Sequence, residues 1–401
     1  GVRALAGGQV TIDDSAFAAL RSAVAGRVIA PEDSDYDEVR SIWNAMIDKR
    51  PGLIVQCAGP DDTAACVDFA RAHDLLVSVR GAGHNIAGSS LSDGGLMIDH
   101  SELRKVEVNA AERTVTAQPG ATLGDLDEAT QAHGLAVPVG INSTTGVAGL
   151  VLGGGFGWLS RKLGLTSDSL LSADVITANG DAIRASASEN SDLFWALRGG
   201  GGNFGVVTSF TFQAHPVGPE LYCGLIVHRQ ADAPDVLAHY RKFVAAAPDE
   251  LSPWCVLRKA PPLPFLAEEH HGTDVLVLPF VWSGDPAQGE AAIAGLREFG
   301  NPIGEHVGPM PFVEFQKAFD PLLTPGARNY WKSHNFNELT PRTIDTVIEY
   351  AGTLPSDQSE IFVAALGGAV NRVATDATAY AHRDVNFVLN VHTRWEDAVD
   401  D

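Results

Sequence analysis

The chain has 401 residues, of which 45% are hydrophobic and 19% charged. This is an ordinary composition for a protein with a large core, and it excludes extended disorder and collagen-like structure. With 28 Lys and Arg against 50 Asp and Glu the formal charge is -22, so phosphate backbones and anionic lipid surfaces are repelled and nucleic acid is not expected as a partner.

In chain order, the apolar runs 52–57 (GLIVQC) and 75–79 (LLVSV) predict strands, and 61–73 between them carries helical spacing after an acidic first turn, which makes one βαβ unit. Short strands follow at 96–99, 106–108 and 114–117, then an Asp-rich helix at 123–133. Beyond a glycine-rich loop, the patterns predict a helix at 156–163, a strand at 172–177, a turn at Asn179-Gly180 that closes a hairpin, a helix at 191–197 and a strand at 206–212. After Pro216 the texture changes: Pro261, Pro262 and Pro264 cluster, a strand is expected at 275–281, and helices at 286–298 and 343–351. The expected division is therefore 1–215 and 216–401, two domains for a length at which about 100–200 residues per domain is usual.

No apolar run reaches the ~18–20 residues of a membrane helix, and the best stretch, 149–158, is broken by glycines. Cys57, Cys66, Cys223 and Cys255 lack CxxC spacing and read as buried thiols rather than a disulfide framework or zinc ribbon. The first residue is Gly1, and no basic and apolar leader follows it. A soluble, cytoplasmic protein is expected, with secretion left open.

Most of the chemistry lies in three glycine-rich segments: 79–88 (VRGAGHNIAG), 142–157 (NSTTGVAGLVLGGGFG) and 198–205 (RGGGGNFG). Glycine lets backbone N–H groups approach a ligand closely, so several such loops can enclose a phosphate-bearing cofactor without help from lysine. No Gly-Lys-Ser/Thr follows any of them, which excludes a P-loop, and the GxSxG nucleophile elbow is missing. The run 200–205 does fit G-x-G-x-x-G. It stands between a helix and a following strand, the reverse of the order in which a Rossmann pyrophosphate rests on a helix N-terminus. His84, flanked by Gly83 and Asn85, has no packing role to explain it, whereas His270-His271 and His382 lack metal-ligand spacing and no metal is expected.

These residues resemble the FAD-linked oxidases of the vanillyl-alcohol oxidase and p-cresol methylhydroxylase superfamily, in particular the berberine-bridge-enzyme-like branch. The landmarks are 79–85, Gln118-Pro119-Gly120, 146–157 with Arg161-Lys162-Leu163-Gly164, and 195–205. The resemblance implies an α+β fold: a p-cresol-methylhydroxylase-type FAD-binding domain of two α+β lobes, and a substrate domain whose antiparallel sheet is covered by helices. It implies FAD held by Arg80, Gly81, Ala82, Gly83, His84, Asn85, Pro119, Gly120, Thr144, Thr145, Gly146, Gly149, Gly154 and Val206. It further implies a covalent bond from His84 to the flavin 8α-methyl carbon.

Many relatives add a second bond from a cysteine that here is replaced by Asn142, so single attachment is expected. Thr145 falls at a position said to control oxygen access, and Ala364 replaces the glutamate of the plant alkaloid branch. In the substrate domain the matching residues are 328–333, 367–369 and 386–395. Alternation along the strands puts Asn390 with His392, and Tyr330 with Lys332, as pairs that could present polar groups to the flavin. Relatives also continue for several tens of residues past the position of Asp401, with a tyrosine-bearing segment, and the resemblance implies a shortened form of a longer protein. The implied activity is hydride transfer from an alcohol, sugar or amine C–H to flavin N5, with oxygen reoxidising the flavin. A flavin dehydrogenase with another acceptor and a flavin-binding protein without turnover remain the alternatives, and the oligomeric state stays open.

Overall fold

The computed structural model describes all residues, 1–401. Its first sheet is small and mixed, ordered Arg27–Ile29, Leu53–Gln56, Leu96–Asp99, Val77–Arg80. The expected βαβ unit is present, with Leu53–Gln56 and Val77–Arg80 both parallel to Leu96–Asp99, which lies between them. The crossover helix Pro60–Ala72 begins with proline, whose fixed φ suits the first turn, and carries Asp61 and Asp62 there and Arg71 in its last turn, charges favourable to its dipole. Asp62 also folds back to accept N–H bonds from Ala25, Gly26 and Ala58 at 2.7–2.9 Å.

A second, five-stranded sheet is antiparallel throughout, in the order Ala182–Ser186, Leu170–Ile176, Val206–Gln213, Thr114–Ala117, Val106–Asn109. Asn179-Gly180 closes its hairpin, with Gly180 at φ +86°. The helix expected at 156–163 is confined to Ser160–Leu163. Gly157 lies against the Val139 carbonyl, where a Cβ would stand only 1.9 Å from the oxygen, so the backbone there must run against another chain segment instead of coiling.

The third sheet has seven antiparallel strands, ordered Gly304–Pro311, Glu220–Arg229, Asp274–Trp282, Leu251–Lys259, Glu360–Ala365, Phe387–Trp395, Arg328–Phe336. Period-two alternation divides its residues. Cys255, Leu257, Leu276, Leu278, Ile361 and Val363 pack with the helices Ala233–Ala246, Gly289–Arg297 and Pro341–Ala351. Their neighbours Trp254, Val281, Ala364 and Val388 pack on the other side against Trp158, Leu159 and Phe315, so the inner face rests on the lobes built from the first two sheets. All four cysteines are free and buried.

Trp254 is 1% exposed and touches Trp158 at 4.3 Å and Phe362 at 5.6 Å between ring centroids. Trp254→Ala should therefore cost about 3–5 kcal/mol in chemical denaturation. A loss under about 1 kcal/mol would mean that this contact does not hold the sheet to the lobes.

Candidate functional site

The three glycine loops converge on one cavity of about 750 Å³, within the size range of small-molecule and cofactor sites. The strand Val77–Arg80 delivers the first loop, and Arg80 fixes its base. That guanidinium is buried and grips the Asp99 carboxylate on the neighbouring parallel strand, Nε donating to Oδ1 at 2.8 Å and Nη2 to Oδ2, while Nη1 donates to the Val39 and Ser41 carbonyls. The register that pairs Arg80 with Asp99 makes the two-pronged contact possible.

The loops approach one another to distances that no side chain would permit. A Cβ on Gly146 would meet that of Ala82 at 2.9 Å, and one on Gly81 would come within 2.8 Å of the Pro119 carbonyl oxygen. What remains between them is a backbone-lined cradle of the kind that holds phosphate groups.

His84 stands in the wall of this cavity. Its ring stacks on Trp43, with centroids 4.3 Å apart and planes at 25°. Its Nε2 is buried and has no hydrogen-bond partner. Burial pushes the imidazole pKa down from 6.5 to about 4, and the neighbouring His392 and Arg394 add to the effect, so at neutral pH the ring is uncharged.

Of the residues matched to cofactor binding, Gly81, Ala82, Gly83, His84, Asn85, Pro119, Thr145, Gly146, Gly149 and Val206 line the cavity. Four others lie behind it. Arg80 is the buried anchor, Gly120 backs onto the His100 carbonyl, and Gly154 packs on the Tyr380 ring. Thr144 turns its hydroxyl to Asn142 Oδ1 at 2.6 Å. Residues that the motifs did not single out also line it, among them His100, whose ring is held by Thr63 Oγ1 at 2.8 Å, and Phe210.

The four residues of the sheet separate. Across the antiparallel pairs, His392 faces Trp331 and Glu360, and Asn390 faces Ser333 and Phe362, so Asn390 and His392 share the inner face. His392 Nδ1 lies 3.4 Å from Glu360 Oε1, Nε2 lies 3.3 Å from Asn329 Oδ1, and its ring meets Trp331 edge-on at 3.9 Å. Trp331 in turn contacts Trp43 at 5.7 Å, which connects this group to His84. Burial pushes the Glu360 carboxyl up, but hydrogen bonding from His392 and the Arg258 charge carry it below its usual range. Tyr330 and Lys332 are corrected in position: their partners are Thr393 and Val391, which puts them on the opposite face. There they are exposed, with the Lys332 ammonium 5.2 Å from the centre of the Tyr330 ring.

Residues 51–186 match the family model described as an FAD binding domain. An FAD-linked oxidoreductase of Dictyostelium discoideum is 31% identical over 371 residues, covering 91% of this chain and 78% of the relative. The FAD-linked oxidoreductase YgaK of Bacillus subtilis is 32% identical over 94% of this chain and 82% of its own length.

The chain belongs to the FAD-linked oxidoreductases.

The crystal structure of 6-hydroxy-D-nicotine oxidase from Arthrobacter nicotinovorans superposes on this FAD-linked oxidoreductase with a TM-score of 0.82 at 26% identity, covering 94% of this chain and 82% of that one. A berberine-bridge-enzyme-like protein of Physcomitrella patens shares the fold, with a TM-score of 0.85 at 22% identity over 96% of this chain and 85% of its own. The α+β fold and the resemblance to berberine-bridge-enzyme-like FAD-linked oxidases are thus borne out. No helix is long and apolar enough to cross a membrane.

The depressed pKa of His84 has a consequence for stability. A group whose folded pKa lies below its unfolded value contributes stability that is present above the unfolded pKa and is lost as pH falls through the folded one. For His84 that window runs from 6.5 down to about 4. Denaturation of flavin-free protein should lose stability more steeply across this window than His84→Asn does, and parallel curves would show that the imidazole is not held neutral.

Proposed function

We propose that this oxidoreductase is an oxidase that takes a hydride from a C–H bond next to oxygen or nitrogen in an alcohol, sugar or amine, passes the electrons to dioxygen, and holds FAD covalently through His84 alone. In this reading residues 1–215 form the FAD-binding domain and 216–401 the substrate domain. FAD, when bound, supplies the two-electron acceptor, and attachment to the protein raises its potential.

The observation that carries the reading is His84 itself: an uncharged ring with an unpartnered buried nitrogen in the wall of a glycine-lined cavity. Single attachment is supported by Asn142, buried with its Oδ1 capping Thr144, and by four cysteines none of which lines the cavity. Access of oxygen is supported by Thr145, a small residue in the cavity lining. Relatives and structural neighbours named as an (R)-6-hydroxynicotine oxidase and a xylooligosaccharide oxidase support the oxidase reading, and also a substrate class that spans nitrogen- and oxygen-bearing compounds.

For the proton that leaves with the hydride, the geometry favours His392. It lies on the inner face, it is joined to His84 through Trp331 and Trp43, and the Glu360 carboxylate fixes its orientation. Tyr330 and Lys332 face away.

The test is a panel of alcohols, sugars and amines, read by peroxide release and by reduction of an artificial dye. Substrate turnover should yield peroxide, and His392→Gln should lower it by about a hundred-fold or more while Tyr330→Phe stays within about two-fold. Turnover with dye alone would make the protein a dehydrogenase, and a Tyr330→Phe loss equal to that of His392→Gln would contradict the assignment of the base.

A further inference from the structure

Trp43 is the residue through which the two halves of the site meet. Its backbone N–H donates to the Gly83 carbonyl at 3.0 Å, directly before His84, and its own carbonyl accepts from Gly326 at 3.2 Å. The indole Nε1 donates to the Leu323 carbonyl at 3.0 Å. The same ring carries the His84 imidazole stacked at 4.3 Å and the Arg394 guanidinium 5.3 Å from its centre. Asn44, the next residue, ties the loop to the sheet by donating to the carbonyls of Ile86 at 2.9 Å and Asn329 at 3.0 Å.

Arg394 is 1% exposed. Its donors go to Gln358 Oε1 and to Thr324, and Nη1 is buried without a partner. Its charge therefore remains beside the indole without a carboxylate in contact. His84 sits on a loop that Gly83 takes through φ +75°, so no regular secondary structure fixes its ring.

We propose that Trp43 and Arg394 are positioning residues that orient the imidazole of His84 for covalent attachment of the flavin. The stacked indole sets the plane of the ring, and the guanidinium over the same indole opposes protonation of the nitrogen that must attack. The inference rests on the attachment through His84 proposed above. That attachment exchanges an imidazole N–H and a C–H of the flavin 8α-methyl group for one N–C bond. The two electrons and two protons released reduce dioxygen to hydrogen peroxide. The charged and titratable groups about His84 are Arg394 and His392 on one strand, Glu360 beyond His392, and the Arg80–Asp99 pair at the base of its own loop.

The experiment uses full-length protein made free of flavin in riboflavin-starved cells, to which FAD is added in air. Two quantities are followed: total flavin bound, by fluorescence quenching, and flavin that stays with acid-precipitated protein. Circular dichroism melting confirms that each variant is folded. Trp43→Leu should slow covalent incorporation by about ten-fold or more with total binding within about two-fold of wild type, and Trp43→Phe, which keeps an aromatic face, should recover most of the rate. Arg394→Met should move the pH midpoint of incorporation upward, because without the neighbouring charge the imidazole protonates at higher pH. Incorporation by Trp43→Leu at the wild-type rate overturns the proposal. So does equal slowing in the Leu and Phe variants together with lost flavin binding, and so does an unmoved midpoint in Arg394→Met. Wild-type protein that releases all its flavin into acid overturns the attachment itself, a result separable from the others because it needs no variant.

Discussion

The buried pair of Arg80 and Asp99 is the constraint on which the site is built. It joins two parallel strands at the point where one of them gives way to the loop that carries His84. Two charges taken out of water are held only when their hydrogen bonds are satisfied, and removing one partner of such a pair typically costs about 3–5 kcal/mol. Here both carboxylate oxygens are used, Oδ1 by Arg80 Nε and the Ser101 N–H, and Oδ2 by Arg80 Nη2, Gln56 and Ser101. The guanidinium also reaches back to the carbonyls of Val39 and Ser41, so the segment that leads into Trp43 is fixed by the same residue that fixes the His84 loop. A rigid first loop then allows the second to approach to Cβ-excluding distance at Gly146 and Ala82.

The sheet of the second half is held against this frame by polar ties as well as by the apolar contacts around Trp158 and Trp254. Arg383 makes a two-pronged pair with Asp168 at 2.7 and 2.8 Å. Gln316 donates to Asp127 at 2.9 Å and to the Gly140 carbonyl at 3.1 Å. Burial pushes the Asp127 carboxyl up to about 7, the cost of placing an acid at a dry contact with only an amide for company. Asp320 accepts from both the N–H and the hydroxyl of Ser143, three residues before Gly146, so the second glycine loop is steadied from the second half of the chain. The glycine loops and the sheet of the second half are therefore one mechanical unit, and this lets a histidine on one and a histidine–glutamate pair on the other keep a fixed relation.

Much of this was legible in the sequence because the signals are local. Glycine clusters mark close backbone approach wherever they occur, and the apolar runs at 52–57 and 96–99, the acidic helix start at 61–62 and the Asn179-Gly180 turn state their conformations within a few residues. The faces of the last sheet were not legible in the same way. Alternation shows that Tyr330 and Lys332 share a face, but only the pairing of Trp331 with His392, 61 positions away, decides which face it is. Trp43 gave no signal either, since a single tryptophan in a segment without period reads as core until its neighbours are known. The shortened helix at 160–163 was concealed for a similar reason: its limit is the Val139 carbonyl pressed against Gly157, a contact outside any local window.

In the proposed attachment, the glycine cradle presents His84 as the one point at which FAD is bound covalently. Mass spectrometry of tryptic peptides reads this attachment, because cleavage after Arg80 and Arg104 isolates the segment 81–104, which contains His84 and His100. This peptide should carry one flavin, and fragmentation should place it on His84. An unmodified 81–104 peptide, or a flavin found on His100 or on a cysteine peptide, would contradict it.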